Sequence, residues 1–545
     1  MDNFSLNAID ITIIIVCPLL VIIVGLWASR FQEKTAKGYF LAGGKLPWYV
    51  IGAAFVSTSV SSEQIVGTVG ATYEHGMAIA NWEWFGLAYI PLILFFIPMY
   101  LKNKVTTVPD FLSRRFGDKC SDVYSWIMLP AYIFIFMVPV FYSGSLAFSQ
   151  LLGINFYVIV WAMVIIIGLY AIKGGLGSVM YADALQCLML VGGGVLLFFA
   201  LLGKIPGGWE AMQQAAPERF HLYQPPEDKI APFLGLIVGS FGVFLFYQAA
   251  NQVMIQRVLG ARSTWDGIMG IIFAGFINRL RPLVTCFIGL IVFHWIHVMN
   301  MAEPLADRDL AFGFAMSEMS PSWGIRGIVL AGFLAAVMST IGALSNSTST
   351  IFALDVYKKI INPNASDKQL VWIGRTAAML ALCIAAAVCP IVSRFGGIFK
   401  YFQMGVTFLA TPFISILLMG IFYKRTNYPG AMFGMVGGII LSMGIGFGLK
   451  ITGQSIDLTR SDWAWLFGLH WLYVAFFVQI ITMIGILIVS HMTKPPAPER
   501  ALPFKWSISM LTGYDDGIKR PWYKSLILWF VILYIIIGIT YWYFW

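Results

Sequence analysis

Apolar stretches of membrane-crossing length recur from one end of the chain to the other, and this repetition settles the fold class before any motif is read. About fourteen of them approach the roughly 20 apolar residues that a bilayer core asks of a helix. They centre near Ile15, Ala53, Tyr89, Phe134, Ala162, Val191, Gly242, Phe287, Leu334, Leu380, Leu409, Gly437, Phe477 and Val531. In hydrocarbon the backbone must satisfy its own polar groups, so such a chain folds as an all-α polytopic membrane protein. Charged residues make up 11% of the sequence, against about 25% in soluble domains. The longest connections, 203–231, 298–324 and 493–524, leave no room for a separate soluble domain.

The net charge of +9 does not indicate nucleic acid, because the basic residues sit in short loops and not in a stripe or tail. Numbering the stretches as spans 1 to 14, the basic clusters follow odd-numbered ones: Arg30, Lys34 and Lys37, then Lys102, Lys104, Arg114, Arg115 and Lys119, then Arg257 and Arg262, and so on to Lys524. Lysine and arginine in short loops mark the cytoplasmic side. The expected orientation places both termini outside, in a multi-pass protein of the cell (plasma or inner) membrane. The first span lacks a basic leader and a small-residue cleavage site and is expected to be retained. Six scattered cysteines show no C-x-x-C spacing, and no obligate protein partner is inferred.

Two spans carry polar interruptions. Span 2 contains FVSTSVSSEQ (55–64), with seven polar residues in ten positions, and span 7 contains YQAANQ (247–252). The two are five spans apart, so they run in opposite directions. Unwound backbone at membrane depth is tolerated where it lines a cavity. Broken helices at matching places in two inverted halves are the best sequence pointer to a secondary-transporter site.

The chain resembles the sodium:solute symporter family, most closely its sodium/sugar (glucose/galactose) branch and the bacterial sodium/galactose members. The matching stretches are YFLAGGKLPW (39–48), SSEQIVG (61–67), GGLGSVMYADALQ (174–186), NQVMIQRVLGA (251–261) and LAAVMSTIGALSNSTSTIFALDVYK (334–358), in family order over nearly the whole length. The resemblance implies a leucine-transporter-like core of two inverted five-helix repeats. These would be residues 39–205 and 206–427, after a first helix and its loop (1–38) and before three C-terminal helices with a cytoplasmic loop (428–545).

In span 9, a carbonyl at Ala336 and side chains at Ser339 and Thr340 share one helix face. Neutral oxygens of this kind suit a hard cation, and an unwound span 2 frees carbonyls near Ser57 and Val60. The competing reading is back-bonding of hydroxyls to the preceding turn. The resemblance implies that Ser57, Val60, Ala336, Ser339 and Thr340 bind Na+, the coupling ion, and that Asp183 lies along its exit path. A charge near the interface is the plainer account of Asp183.

A small polar solute such as a sugar needs hydrogen-bonding side chains and flat aromatic walls. The candidates are Gln64, Glu83 and Gln403, with Trp82 and Tyr247 as walls; the resemblance implies sugar contacts for the first three and pocket closure for Tyr247. Departures from the bacterial members are Ser59 for an asparagine, Gly86 for a serine, Trp82 for a tyrosine, Phe244 for an asparagine and Asn278 for a lysine. The pocket is therefore remodelled, and galactose or glucose does not carry over.

Intramembrane charges are functional candidates by default. Glu63 is read as a partner for the freed backbone of span 2. Arg279 and Arg281, in FINRLRP (276–282), have two readings. One receives an anionic solute such as an acidic sugar, or they pair with Glu63, Glu83 or Asp183. Their spacing of two puts them on different helix faces, so only one is expected to face the pocket. Six histidines form no H-E-x-x-H motif, and neither G-x-S-x-G nor a P-loop occurs. The chain is expected to be no enzyme but a sodium-coupled symporter working by alternating access. A channel or solute sensor on the same fold remains the rival.

Overall fold

The computed structural model describes residues 6–31, 35–228, 230–321, 324–395, 398–451, 470–507, 510, 518 and 520–545. Among the described residues the chain is helical without strands. Among the described residues eleven helices are long and apolar enough to cross a bilayer, and three shorter apolar helices, Trp48–Ser59, Phe156–Ile172 and Cys286–Val298, belong to spans 2, 5 and 8. Spans 1, 3, 4 and 6 are Ala8–Ser29, Met77–Lys102, Asp118–Ser149 and Gly174–Leu202. Spans 7, 9, 10 and 11 are Phe233–Ala250, Ile325–Ile361, Asp367–Arg394 and Gly405–Phe422. Spans 12, 13 and 14 are Tyr428–Ile445, Trp471–Met492 and Leu526–Tyr543. Every centre read from the sequence falls inside one of these helices.

Both expected breaks are present. Span 2 ends its first half at Ser59, passes through Val60 (φ −114°, ψ 110°) and Ser61 (φ −122°, ψ 174°) in extended geometry, and resumes as Ser62–His75. Span 7 breaks at Asn251 (φ −86°, ψ 119°) and continues as Gln252–Leu259. The Asn251 side chain accepts hydrogen bonds from the Val253 amide at 3.1 Å and the Tyr132 hydroxyl at 3.0 Å, so the interruption is supported by its own polar residue.

Two further interruptions occur in the neighbouring spans. Span 8 stops at Asn278 and restarts as the turn Arg281–Val284. Pro282 accounts for the stop, since its ring lacks an N–H and clashes with the carbonyl four residues back, that of Asn278. Span 3 leaves helical geometry at Phe85 (ψ 90°). The carbonyls released there are both used: that of Trp84 accepts from Arg279 Nη2 at 2.9 Å, and that of Gly86 from the Tyr534 hydroxyl at 2.7 Å. Spans 3 and 8 are, like spans 2 and 7, five apart. The interruptions therefore repeat the internal symmetry of the fold.

Spans 6 and 9 pack closely against each other. Small residues permit the approach: a Cβ at Gly332 would sit 2.9 Å from the Met189 carbonyl oxygen. Span 14 is peripheral, with Ile527 74% exposed, as a lipid-facing helix should be.

Two of the cations used to orient the chain are not solvent-exposed. Arg115 and Arg257 are fully buried. Arg115 donates to the carbonyls of Gly420 and Thr426 at 3.0 and 2.9 Å, capping the end of span 11, where a guanidinium also complements the helix dipole. Arg257 belongs to the interior of the helix bundle.

Candidate functional site

The break in span 2 leaves Thr58 against the face of span 9 that carries Ala336, Ser339 and Thr340, and these four residues are buried, as are Ser57 and Val60. The Thr340 hydroxyl donates to the Thr58 carbonyl at 3.2 Å. The Thr58 hydroxyl lies 3.3 Å from both Ser339 Oγ and Asp183 Oδ2. Ser57 Oγ accepts and donates no hydrogen bond among the described residues, an orphaned oxygen in a place where burying one is costly. The set is made of neutral hydroxyls and backbone carbonyls with a carboxylate just beyond them. Such oxygens fit a hard monovalent cation.

Asp183 is fully buried, and Arg257 Nη2 lies 2.9 Å from its Oδ2. Arg257 also donates to the Ala54 carbonyl at 3.3 Å and to the Val253 carbonyl. One ion pair thus touches spans 2, 6 and 7, and span 9 through Thr58. Thr58 and Arg257 escaped the sequence reading. Thr58 is one of seven polar residues in a row of ten, and Arg257 lies close enough to a loop to pass as a topology signal.

Toward the middle of the bundle lies a cavity of about 90 Å³. Its polar walls include Ser59, Glu63, Gln64, Glu83, Asn278 and Arg281. Trp82 and Tyr247 supply flat aromatic faces, and Phe85 stacks on Phe244 with ring centroids 4.7 Å apart. A small set of convergent polar groups among aromatics is the usual make-up of a small-molecule site. The walls come from spans 2, 3, 7 and 8, the four interrupted spans, and from span 11 through Phe402 and Val406. The Gln403 side chain lies outside the described residues.

The two arginines separate as their spacing predicts. Arg281 faces the cavity, with Nε 2.6 Å from Glu83 Oε2 and Nη2 donating to Gln64 Oε1 at 2.8 Å. Arg279 turns toward span 3 and the Trp84 carbonyl and is no part of the cavity wall. Asn278 donates its amide to the Tyr89 hydroxyl. Glu63 lies buried in the first turn of its half-helix, an end where a carboxylate is favoured by the helix dipole. Trp471, which the sequence reading did not single out, stacks on Trp82 at 5.5 Å with ring planes 8° apart.

Residues 39–438 match the sodium:solute symporter family. The chain belongs to this family. It is 32% identical to the sodium/glucose cotransporter of Vibrio parahaemolyticus, over 82% of this chain and 87% of that one. It is 30% identical to sodium/glucose cotransporter 1 of Oryctolagus cuniculus, over 92% and 81%, and 29% identical to sodium/myo-inositol cotransporter 2 of Bos taurus, over 95% and 81%. The fold is similar to that of a Na+-coupled sialic acid symporter in its substrate-bound, outward-open state. The TM-score is 0.78 at 21% identity, covering 90% of this chain and 99% of the other. The symporter is accordingly a multi-pass membrane protein with a leucine-transporter-like core, and Na+ is its coupling ion. Its family and relatives are transporters, not enzymes.

Proposed function

We propose that the symporter imports an uncharged monosaccharide or similar polyol with Na+ by alternating access. Residues 39–205 and 206–427 would act as the two repeats, and both termini would lie outside. Sodium would be held by Ser339 and Thr340 through their hydroxyls and by Ser57, Val60 and Ala336 through their backbone or side-chain oxygens. Sodium would thereby draw spans 2 and 9 together. The solute would occupy the cavity among Gln64, Glu83, Asn278 and Ser59, between the walls of Trp82 and Tyr247.

The observation that carries this reading is that one broken helix serves both places. The first half of span 2 ends in the polar knot of Ser57 and Thr58, and its second half begins with Glu63 and Gln64 in the cavity wall. An ion that fixes the first half also orders the second, which is what coupling requires: sodium must favour the solute-competent state over the alternative. Similarity to relatives named for glucose and myo-inositol supports a neutral polyhydroxyl solute. An inward sodium gradient imposed on proteoliposomes should accumulate such a solute above its outside concentration, and a potassium gradient should not. Equal, non-accumulating entry under both gradients would point to a channel or sensor instead.

A further inference from the structure

Three charged side chains line the cavity among the described residues: Glu63, Glu83 and Arg281. The guanidinium is already engaged on two sides, by Glu83 at 2.6 Å and by the Gln64 carbonyl oxygen at 2.8 Å. Glu83 is held from its other oxygen by the Thr68 hydroxyl at 3.5 Å. Arg281 and Glu83 side chains are 10% and 3% exposed, so their attraction is little screened by water. Arg281 owes its position to the break in span 8, where it is the first residue of the restarted turn and precedes Pro282. Its partner Glu83 lies just before the break in span 3.

The charge balance has a consequence for selectivity. With Arg281 already paired to Glu83, the described cavity wall offers an incoming anion no unpaired cation. An anionic solute entering this space would have to displace Glu83 from the guanidinium. Uncharged hydroxyl groups face no such penalty, since the carboxylate accepts from them while the amides of Gln64 and Asn278 offer further polar contacts. We propose that Arg281 is a specificity-determining residue: paired with Glu83, it sets the cavity for uncharged polyhydroxyl solutes and against their carboxylate analogues. Freed from Glu83, the same guanidinium becomes a fork suited to a carboxylate. The proposal rests on the cavity being the solute site.

The test is equilibrium binding to the purified full-length protein in sodium, using a neutral hexose, a cyclitol and a hexuronate as probes. The wild type is expected to bind a neutral probe at least tenfold more tightly than the hexuronate. Glu83→Gln is expected to improve hexuronate affinity at least tenfold and to weaken neutral binding, and Glu83→Gln/Arg281→Gln should abolish that gain. Arg281→Lys, which keeps the charge but loses the fork, should fall between. A wild type that binds the hexuronate as tightly as the neutral probes overturns the proposal without recourse to any variant. So does a hexuronate gain that is absent in Glu83→Gln or that survives in the double variant. The expected binding preference without sodium-driven accumulation in proteoliposomes would overturn the transport reading and leave this one standing. Neutral-sugar accumulation with a preference unmoved by Glu83→Gln would do the reverse.

Discussion

Arg257 lies 2.9 Å from Asp183 with both side chains sealed from solvent, at 1% and 0% exposure, and the pair sits against the candidate sodium ligands. Removing one member of a buried pair strands the other charge and costs about 3–5 kcal/mol. Arg257→Gln and Asp183→Asn should therefore each lower the melting temperature in detergent markedly, while Asp183→Asn/Arg257→Gln should cost less than the two singles together. Strict additivity in this cycle would show that the pair does not act as a unit.

Ser339 and Thr340 should set the apparent sodium affinity. An interaction with a charged partner contributes about 1.5–3 kcal/mol, so Ser339→Ala and Thr340→Ala are each expected to raise the sodium half-saturation concentration about tenfold or more. Thr340→Ser keeps the hydroxyl and should stay close to wild type. Sodium titration of uptake or of intrinsic fluorescence reads the difference.

Trp471 stacks on Trp82, an aromatic wall of the proposed solute cavity. Aromatic pairs contribute about 0.5–1.5 kcal/mol beyond buried area. Trp471→Ala is expected to weaken solute binding about two- to tenfold while leaving the sodium half-saturation without solute unchanged. Trp471→Phe should recover most of the loss. Solute titrations in saturating sodium check both.

Close approach of spans 6 and 9 depends on Gly332, where a side chain would press on the Met189 carbonyl. Overpacking of this kind costs about 1–3 kcal/mol. Gly332→Val should lower thermal stability and weaken sodium dependence together, because span 9 carries the proposed sodium-ligand face. A variant as stable as wild type would mean that the helices separate freely here.

Much of this architecture is legible in the sequence because membrane helices announce themselves by length and hydropathy, and the breaks in spans 2 and 7 by polar residues where none should be. The breaks in spans 3 and 8 were less visible. Phe85 and Gly86 are apolar and leave no polar signature, and the meaning of Pro282 depends on which carbonyl it meets. Helical spacing separates Arg279 from Arg281 and Glu83 stands among their candidate partners, but which carboxylate is engaged, and that Gln64 joins it, depends on tertiary packing. Arg257 misled for a related reason: a cation near a loop counts toward topology until its buried carboxylate is known. Trp471 sits far along the chain from Trp82, and a lone aromatic in an apolar helix carries no signal of its partner.

The most direct test of the central claim, that sodium at spans 2 and 9 organises the solute cavity, is a pair of binding titrations on the purified protein: solute affinity as a function of sodium, and sodium affinity as a function of solute. Linkage demands that each ligand strengthen the other by the same factor. The account predicts a shared factor well above one, lost in Ser339→Ala/Thr340→Ala. Solute affinity that is identical in sodium and in potassium would contradict it.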